Sequence, residues 1–333
     1  MSKPLSASLQ QLLSQRIMLL DGAMGTMIQR HSLEEADFRG DAYQNHPSPL
    51  KGNNDLLAVT RPDVIESIHD AYFEVGSDFA TTNSFNATTI AQADYAMEAY
   101  VDDINFHAAQ CARRSADRWS AKTPNKPRFV VGALGPTNRT ASLSPDVNDP
   151  GKRLVTFDEL RIAYLQAARS LLAGGADILM IETVFDTLNA KAALFAMAEI
   201  REEKSDIPIM VSGTITDASG RTLSGQTAEA FWTSMMHGEL LSIGLNCALG
   251  ADDMLPYIKR LDAVSTVFVS AHPNAGLPNE FGEYDQTPEQ MAEQIEPFVK
   301  GGHINILGGC CGSTPEHIAA LKILADQYSP RKQ

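Results

Sequence analysis

Short apolar runs alternate with longer amphipathic stretches along almost the whole chain. Eight of the runs are rich in aliphatic and β-branched residues, and each is followed by a stretch with apolar residues at helical spacing. This alternation predicts consecutive strand–helix units and a parallel sheet. The runs are RIMLLDG from Arg16, SDFATTN from Ser77, RFVVGAL from Arg128, ADILMIE from Ala176, IPIMVSG from Ile207, LLSIGLN from Leu240, STVFVSA from Ser265 and HINILGG from His303.

Start and stop signals support the predicted helices. Hydroxyl side chains at the cap, and proline or acidic residues in the first turn, satisfy free N–H groups and the helix dipole. Gly76, Gly174 and Gly301 follow three of the amphipathic stretches, where we predict left-handed C-terminal caps. The start signals are RPD from Arg61, TFDE from Thr156, TPE from Thr287 and STPE from Ser313.

The number of units predicts an α/β fold of the (β/α)8 TIM-barrel type in a single domain. A doubly wound sheet usually has fewer strands and a G-x-G-x-x-G first turn, whereas the first turn here reads DGAMGT. We place the domain at residues 1–327 and a C-terminal tail at 328–333. Segments 31–54 and 138–155 are too long for tight turns, and they follow predicted strands where barrels place catalytic loops.

Composition and charge narrow the class of protein. The 333 residues are 44% hydrophobic and 20% charged, with a net charge of −14. An acidic chain is a poor partner for nucleic acid, since phosphate binding needs clustered Lys and Arg. No run of eighteen apolar residues and no signal-peptide pattern occur, so we expect a cytoplasmic enzyme without a membrane partner.

Cysteine is the chemically informative residue type, with four in the chain. Cys310 and Cys311 are adjacent in ILGGCCGSTPEH, and adjacent cysteines fit disulfide geometry poorly. Cys247 follows the sixth run and the pair follows the eighth, so a closed barrel brings the three thiols to one face. Three thiolates suit Zn²⁺ and leave a fourth position open, as in catalytic zinc sites.

The spacing alone leaves an alternative open. Adjacent residues on a strand point to opposite faces, and free cysteines are often buried core residues. Gly308, Gly309 and Gly312 would let the backbone bend so that both adjacent side chains face one ion. Cys111, which has apolar neighbours at helical spacing, is predicted to be an inert core residue.

Seven motifs closely resemble the N-terminal homocysteine-binding module of cobalamin-dependent methionine synthase, in the homocysteine S-methyltransferase family. The resemblance runs in order from about Arg16 to His317, nearly the whole chain. The motifs are LDGAMGT from Leu20, GPTNRT from Gly135, IETVFDTLNAK from Ile181, SGTITDASGRTLSGQ from Ser212, GLNCALG from Gly244, HPNAGLPN from His272 and GGCCGSTP from Gly308.

The resemblance implies the same barrel and a catalytic zinc held by Cys247, Cys310 and Cys311. The ion would bind homocysteine through its sulfur, and the resulting thiolate would take a methyl group to give methionine. Asp21 and Glu182, at the ends of the first and fourth runs, match acids implicated in holding the substrate ammonium. Their structural alternatives are a turn or cap residue for Asp21 and a buried, hydrogen-bonded acid for Glu182.

Backbone N–H groups of Gly22, Ala23 and Met24 are predicted to bind the substrate carboxylate, since glycine permits close backbone approach. Asn246 and His272 are secondary candidates for a ligand to the zinc when substrate is absent, with loop support as their alternative role.

The methyl donor is the open part of the interpretation. None of the eight histidines lies in a cobalamin-binding D-x-H-x-x-G pattern, so we expect methylcobalamin to be an external donor supplied by cobalamin and folate modules. The alternatives are a self-sufficient homocysteine methyltransferase that uses S-methylmethionine or a betaine, and a noncatalytic subunit that presents homocysteine to a partner.

Overall fold

Eight parallel strands form the centre of the structure, a computed structural model that describes residues 5–217 and 219–333. Each strand begins within one of the eight apolar runs, and the fourth and seventh strands continue two residues and one residue beyond their runs. The predicted (β/α)8 barrel is confirmed. Residues 1–4 of the predicted domain and Ala218 of the fourth motif lie outside the described residues. The strands are β1 Met18–Leu19, β2 Phe79–Thr81, β3 Phe129–Leu134, β4 Ile178–Val184, β5 Ile209–Gly213, β6 Ser242–Asn246, β7 Phe268–His272 and β8 Ile306–Leu307.

A helix follows every strand and packs outside the barrel. The long loop after β1 also holds three short helices before the first packing helix. In chain order the helices are α1 Leu5–Gln15, α2 Met24–Gln29, α3 Glu35–Arg39, α4 Leu57–Thr60, α5 Pro62–Val75, α6 Thr89–Gln92, α7 Val101–Lys122, α8 Phe157–Gly174, α9 Thr187–Glu203, α10 Ala228–Met235, α11 Ala251–Val264, α12 Pro288–Lys300 and α13 Pro315–Ala325.

Polar side chains close the barrel between β1 and β2. The hydrogen-bonded strand order runs from β1 through β8 to β2, which leaves this junction without a regular ladder. There the Asp78 N–H donates to the Leu19 carbonyl, and the Leu19 N–H donates to the Asp78 carboxylate, both at 2.8 Å. The Thr81 N–H donates to the Asp21 carboxylate at 2.8 Å. Two carboxylates therefore replace the missing backbone acceptors.

The strands separate two apolar cores. Side chains such as Leu19 and Leu179 point outward into the layer between strands and helices, while Met18 and Met180 point into the barrel. The N-terminal helix α1 buries Leu9 and Leu13 in the interior core and closes the end of the barrel opposite the loops after the strands. Full burial of a leucine is worth about 1.5–3 kcal/mol.

Predicted helix starts form capping boxes at Thr156, Thr287 and Thr314. The Thr156 hydroxyl accepts from the Glu159 N–H at 3.2 Å, and the Glu159 carboxylate accepts from the Thr156 N–H at 2.8 Å. Thr287 and Gln290 make the same reciprocal pair at the start of α12. These signals fix the entry of α8 and α12 from the barrel mouth.

One of the three predicted left-handed glycine caps is confirmed, and in the other two cases the left-handed residue is the next one along the chain. Gly76 has φ +112° and caps α5 as predicted. The left-handed residues after α8 and α12 are Gly175, with φ +109°, and Gly302, with φ +66°, rather than Gly174 and Gly301. The helix α8 continues through Gly174, whereas α12 ends at Lys300 and Gly301, with φ −75°, precedes the left-handed residue.

Long loops surround the mouth of the barrel. The two that were predicted follow β1 and β3, and further ones follow β2, β5 and β7 at residues 82–100, 214–227 and 273–287. The tail at 328–333 packs back, since Arg331 donates to the Asp262 carboxylate at 2.6 Å. Within residues 5–217 and 219–333, no helix has both the length and the apolar character to cross a membrane.

Candidate active site

A cavity of about 290 Å³ opens at the C-terminal ends of the strands. Its wall is built by the loops after β1 and β2 and by the ends of β4, β6, β7 and β8. Barrel enzymes place their reacting groups at this end. All of the predicted site residues line the cavity, namely Asp21, Gly22, Ala23, Met24, Glu182, Cys247, Cys310 and Cys311.

Three thiols meet in the cavity wall. The sulfur atoms of Cys247, Cys310 and Cys311 all lie within 4.8 Å of one another, with Cys247 and Cys311 separated by 3.7 Å. The end of β7 and the residue after it hold two of these cysteines in place, because the Cys247 N–H donates to the His272 carbonyl and the Cys310 N–H to the Pro273 carbonyl. The predicted convergence is therefore present.

Glycine explains how two adjacent cysteines face the same way. A Cβ on Gly309 would lie 2.3 Å from the Ser313 hydroxyl, and one on Gly308 would lie 2.8 Å from the Leu20 Cβ. Gly312 has φ +80° and packs directly against the Tyr284 ring. The backbone can therefore turn tightly here only without side chains, and the turn overrides the usual alternation of a strand.

The charge state of the cluster favours a bound cation. Hydrogen bonds to Cys247 and Cys311, with burial, raise the pKa of Cys310 well above its ordinary value. Hydrogen bonds from the other two thiols lower the pKa of Cys311 to about 3. Because the three sulfurs lie so close together, one is a thiolate and the other two remain thiols. Ionisation of all three cysteines requires a positive charge between them.

The donor set fits zinc. Tetrahedral zinc with Zn–S bonds of about 2.3 Å separates its sulfurs by about 3.8 Å, close to the 3.7 Å between Cys247 and Cys311. Three soft sulfur ligands also disfavour magnesium and calcium, which take oxygen ligands. Cys111 lies elsewhere, buried in the core on α7 as predicted, and burial raises its pKa to about 11.

Glu182 presents a carboxyl group to the cavity from an irregular point in β4. The structure records no hydrogen bond to its carboxylate from any described residue. Burial first, and then the charges of Asp21 and Cys311, raise the pKa of Glu182 to about 8. A carboxyl group without a partner in such a wall is suited to receive a cationic group from a ligand.

Asp21 is held more firmly. It is buried, and its carboxylate accepts from the N–H and the hydroxyl of Thr81, at 2.8 and 2.9 Å. Burial raises the pKa of Asp21 to about 7 despite these bonds. Asp21 therefore joins β1 to β2 and also places a second acid on the cavity wall.

The backbone of the DGAM segment is only partly open to a ligand. The Ala23 N–H donates to the Ser313 hydroxyl at 3.2 Å and is already used. No hydrogen bond is recorded for the N–H groups of Gly22 and Met24 within the described chain. A Cβ on Gly22 would lie 2.8 Å from both Ser313 and Tyr72, so this position requires glycine.

The two secondary ligand candidates differ. The amide oxygen of Asn246 accepts from Ser212 and from the Thr183 backbone, which leaves it unavailable to a metal. The buried His272 ring has no recorded partner for Nε2 among the described residues. Burial lowers the pKa of His272 to about 4, so its ring is neutral at physiological pH.

Sequence reasoning missed a polar residue of the cavity wall and another that follows the wall residue His272 closely in sequence. Asp55 lines it, is buried, and accepts one hydrogen bond, from the Asn86 N–H at 3.2 Å. Asn274 follows His272 by two positions and is buried, with no partner recorded for its amide oxygen in the described residues. The sequences NND from Asn53 and HPN from His272 indicate a binding site only weakly, since polar residues in loops are usually solvated.

Comparison with known proteins places the chain in a chemical context. A sequence profile of the homocysteine S-methyltransferase family matches residues 18–324. The crystal structure of the metallated form of the homocysteine methyltransferase MmuM from Escherichia coli has a TM-score of 0.73 and 23% identity, covering 96% of this chain and 99% of that chain.

Two further structures share the fold. The oxidized form of the same Escherichia coli protein has a TM-score of 0.73 and 22% identity, covering 97% of this chain and 99% of that one. A B12-independent methionine synthase from Shewanella sp. W3-18-1, in complex with selenomethionine, has a TM-score of 0.52 and 14% identity, covering 94% of this chain and 97% of that one.

Proposed function

The chain belongs to the homocysteine S-methyltransferase family and is a methyltransferase by family and fold, and on that premise we propose that it activates homocysteine as a thiolate for conversion to methionine. We propose further that it is the substrate module of a cobalamin-dependent methionine synthase, acting in the cytoplasm. The observation that supports this most is one cavity lined by both a three-cysteine cluster and two acids.

Cys247, Cys310 and Cys311 would hold zinc as the catalytic metal. When bound, zinc supplies a lowered pKa for a substrate thiol, while three anionic sulfurs give the centre a net charge of −1 and keep a fourth sulfur electron-rich. A free thiol, with a pKa near 8.5, is mostly protonated at neutral pH and nucleophilically weak.

The other end of homocysteine meets groups of the protein itself. Glu182 would accept the substrate ammonium, with Asp21 beside it, because both acids lie on the cavity wall. The N–H groups of Gly22 and Met24 would donate to the substrate carboxylate. Ala23 contributes through Ser313, since that bond fixes the segment in place. The cavity wall would thereby orient the sulfur toward the donor and exclude water from it.

Methyl transfer would be a direct displacement. A bond forms between the homocysteine sulfur and the methyl carbon as the bond from that carbon to its carrier breaks, and the carrier leaves with the electron pair. We propose methylcobalamin as the carrier, presented at the barrel mouth by a separate module, because the seven motifs resemble methionine synthase and the chain lacks D-x-H-x-x-G.

Thiol activation is tested by counting protons. Homocysteine binding to zinc-loaded protein near pH 7 should release about one proton more than binding of homoserine, since most of the free thiol is protonated there. Calorimetry in two buffers of different ionisation enthalpy measures the difference. Homoserine has the same length and charged groups but no thiol. Equal proton release by the two ligands would contradict the proposal.

Glu182→Gln should weaken homocysteine binding yet stabilise the metal-free protein at alkaline pH. Loss of a charge-assisted hydrogen bond costs about 1.5–3 kcal/mol, or about 10–100-fold in affinity. The folded wild type keeps a proton on Glu182 up to about pH 8, whereas the unfolded chain releases it near pH 4.3. Wild-type stability therefore falls as pH rises through this window, and the glutamine variant avoids that loss.

Melting curves of reduced, chelator-treated protein measure the effect on stability. The advantage of the Glu182→Gln variant over wild type should grow between about pH 5 and pH 8. Glu280→Gln, at an exposed position in the loop after β7, is the matched control and should show no such trend. A constant difference across the range would mean that Glu182 does not take up its proton in the folded state.

A further inference from the structure

We propose that Asn246 sets the length of amino thiol that the cavity accepts, by fixing the position of Glu182 relative to the cysteine cluster. The inference rests on the proposed function, because that function assigns the two ends of homocysteine to Glu182 and to the cluster. Asn246 acts through its neighbours and is therefore a positioning residue.

The starting point is an irregularity in β4. Glu182 and Thr183 together oppose the single residue Ser212 of β5, because the pairing register shifts between Ile181 and Val184. A bulge of this kind bends the strand and re-aims its side chains. The direction of the Glu182 carboxyl group is thus set by the bulge rather than by the regular strand.

The bulge needs external support. Thr183 has φ +55°, in the left-handed region that a β-branched residue rarely adopts. Such a conformation persists only where surrounding contacts hold it in place. Glycine would adopt this conformation without strain, but the residue here is threonine. Contacts from neighbouring residues must therefore stabilise the left-handed backbone.

Asn246, buried at the end of β6, supplies those contacts. Its amide oxygen accepts from the Thr183 N–H at 3.1 Å and from the Ser212 hydroxyl at 2.7 Å. Its amide nitrogen donates to the Thr183 hydroxyl at 2.8 Å and reaches the Cys310 sulfur at 3.9 Å. Asn246 also directly precedes Cys247. One side chain thus ties the β4 bulge to the cysteine cluster.

A fixed separation between these groups selects ligand length. Homocysteine bound at both ends spans the distance from Glu182 to the cysteine cluster. The amino acid cysteine is one methylene shorter, so it can contact Glu182 or the cluster closely, but not both at once. One methylene is worth about 10–200-fold in discrimination when a site is rigid. If Asn246 no longer held Thr183, the bulge would relax and the two ligands would be distinguished less.

The test measures dissociation constants for homocysteine and cysteine by calorimetry, on zinc-loaded protein verified to hold the metal. Asn246→Ala should bind homocysteine more weakly, while its affinity for cysteine changes little. One methylene allows a preference for homocysteine of about 10–200-fold, and we expect the variant to reduce this preference by at least about 5-fold. Thr183→Val keeps the backbone N–H bond and should lose part of the preference. Ser212→Ala removes one of the two donors to the amide oxygen and should lose less.

Asn305→Ala is the matched control, since Asn305 is also a buried asparagine that joins two strands, accepting from the Val269 N–H at 3.1 Å at the opposite end of the barrel. It should keep the wild-type preference even if its melting temperature falls. An unchanged preference in Asn246→Ala, or equal losses for both ligands, would overturn the inference. If Asn246→Ala does not fold, the two milder variants decide in the same way. Failure of the wild type to bind homocysteine would instead overturn the proposed function.

Discussion

Replacing Cys247, Cys310 or Cys311 by alanine, one at a time, is expected to abolish zinc retention and methyl transfer. Reduced wild-type protein should hold one zinc per chain, because the three sulfurs lie within 4.8 Å of one another and suit a single ion. Changes to groups that only support metal ligands cost about 10–100-fold, so loss of a ligand itself should cost more than about 100-fold in affinity or activity. Metal analysis after gel filtration measures zinc, and methionine formation measures transfer.

Cys111→Ala provides the comparison within the same chain. Cys111 lies on α7, where its thiol donates to the Ala58 carbonyl and its sulfur accepts from Arg114. This variant should retain one zinc and near wild-type transfer, with at most a modest fall in melting temperature from the small cavity created. An unchanged zinc content in Cys310→Ala would mean that the cluster is not the metal site.

Local signals in the sequence were sufficient to predict the barrel. Each strand is a short buried run, and the following helix often starts with a side chain that caps it, as Thr156 and Thr287 do. These features depend on neighbours in sequence and therefore appear in the pattern of residue types. The end of a helix depends more on tertiary contacts, which explains why the left-handed residues are Gly175 and Gly302, each one residue beyond the predicted position.

The residues of the candidate site were predictable from the sequence, but the hydrogen bonds that connect them were not. The cysteines were located because the fold brings the ends of β6 and β8 to one face. The left-handed Thr183 gave no signal, since a threonine directly after an apolar run ordinarily indicates that the regular strand continues. Its conformation depends on Asn246, which lies 63 residues further along the chain. Contacts of that range come from the closed barrel and not from local sequence.

The methyl donor is expected to distinguish a module from a self-sufficient enzyme. Zinc-loaded protein supplied with homocysteine should form methionine slowly from free methylcobalamin, at a rate that rises linearly with donor concentration. The reason is that the cavity is assigned to homocysteine, and the chain has no D-x-H-x-x-G pattern for a saturable cobalamin site. Methyltetrahydrofolate alone should give no methionine, since it needs a folate-binding module and a cobalamin relay.

The measurement is methionine formed with each donor supplied singly, and Cys310→Ala, which should lack the metal, provides the blank for uncatalysed transfer. A linear response to methylcobalamin that this variant loses would show that activation of the homocysteine sulfur resides in this chain while carriage of the methyl group does not. Rapid, saturable turnover with S-methylmethionine or a betaine would replace the module proposal with a self-sufficient methyltransferase. Tight homocysteine binding without methionine from any donor would indicate a subunit that only presents homocysteine, because binding depends on both ends of the cavity whereas transfer also requires a methyl carbon in line with the sulfur.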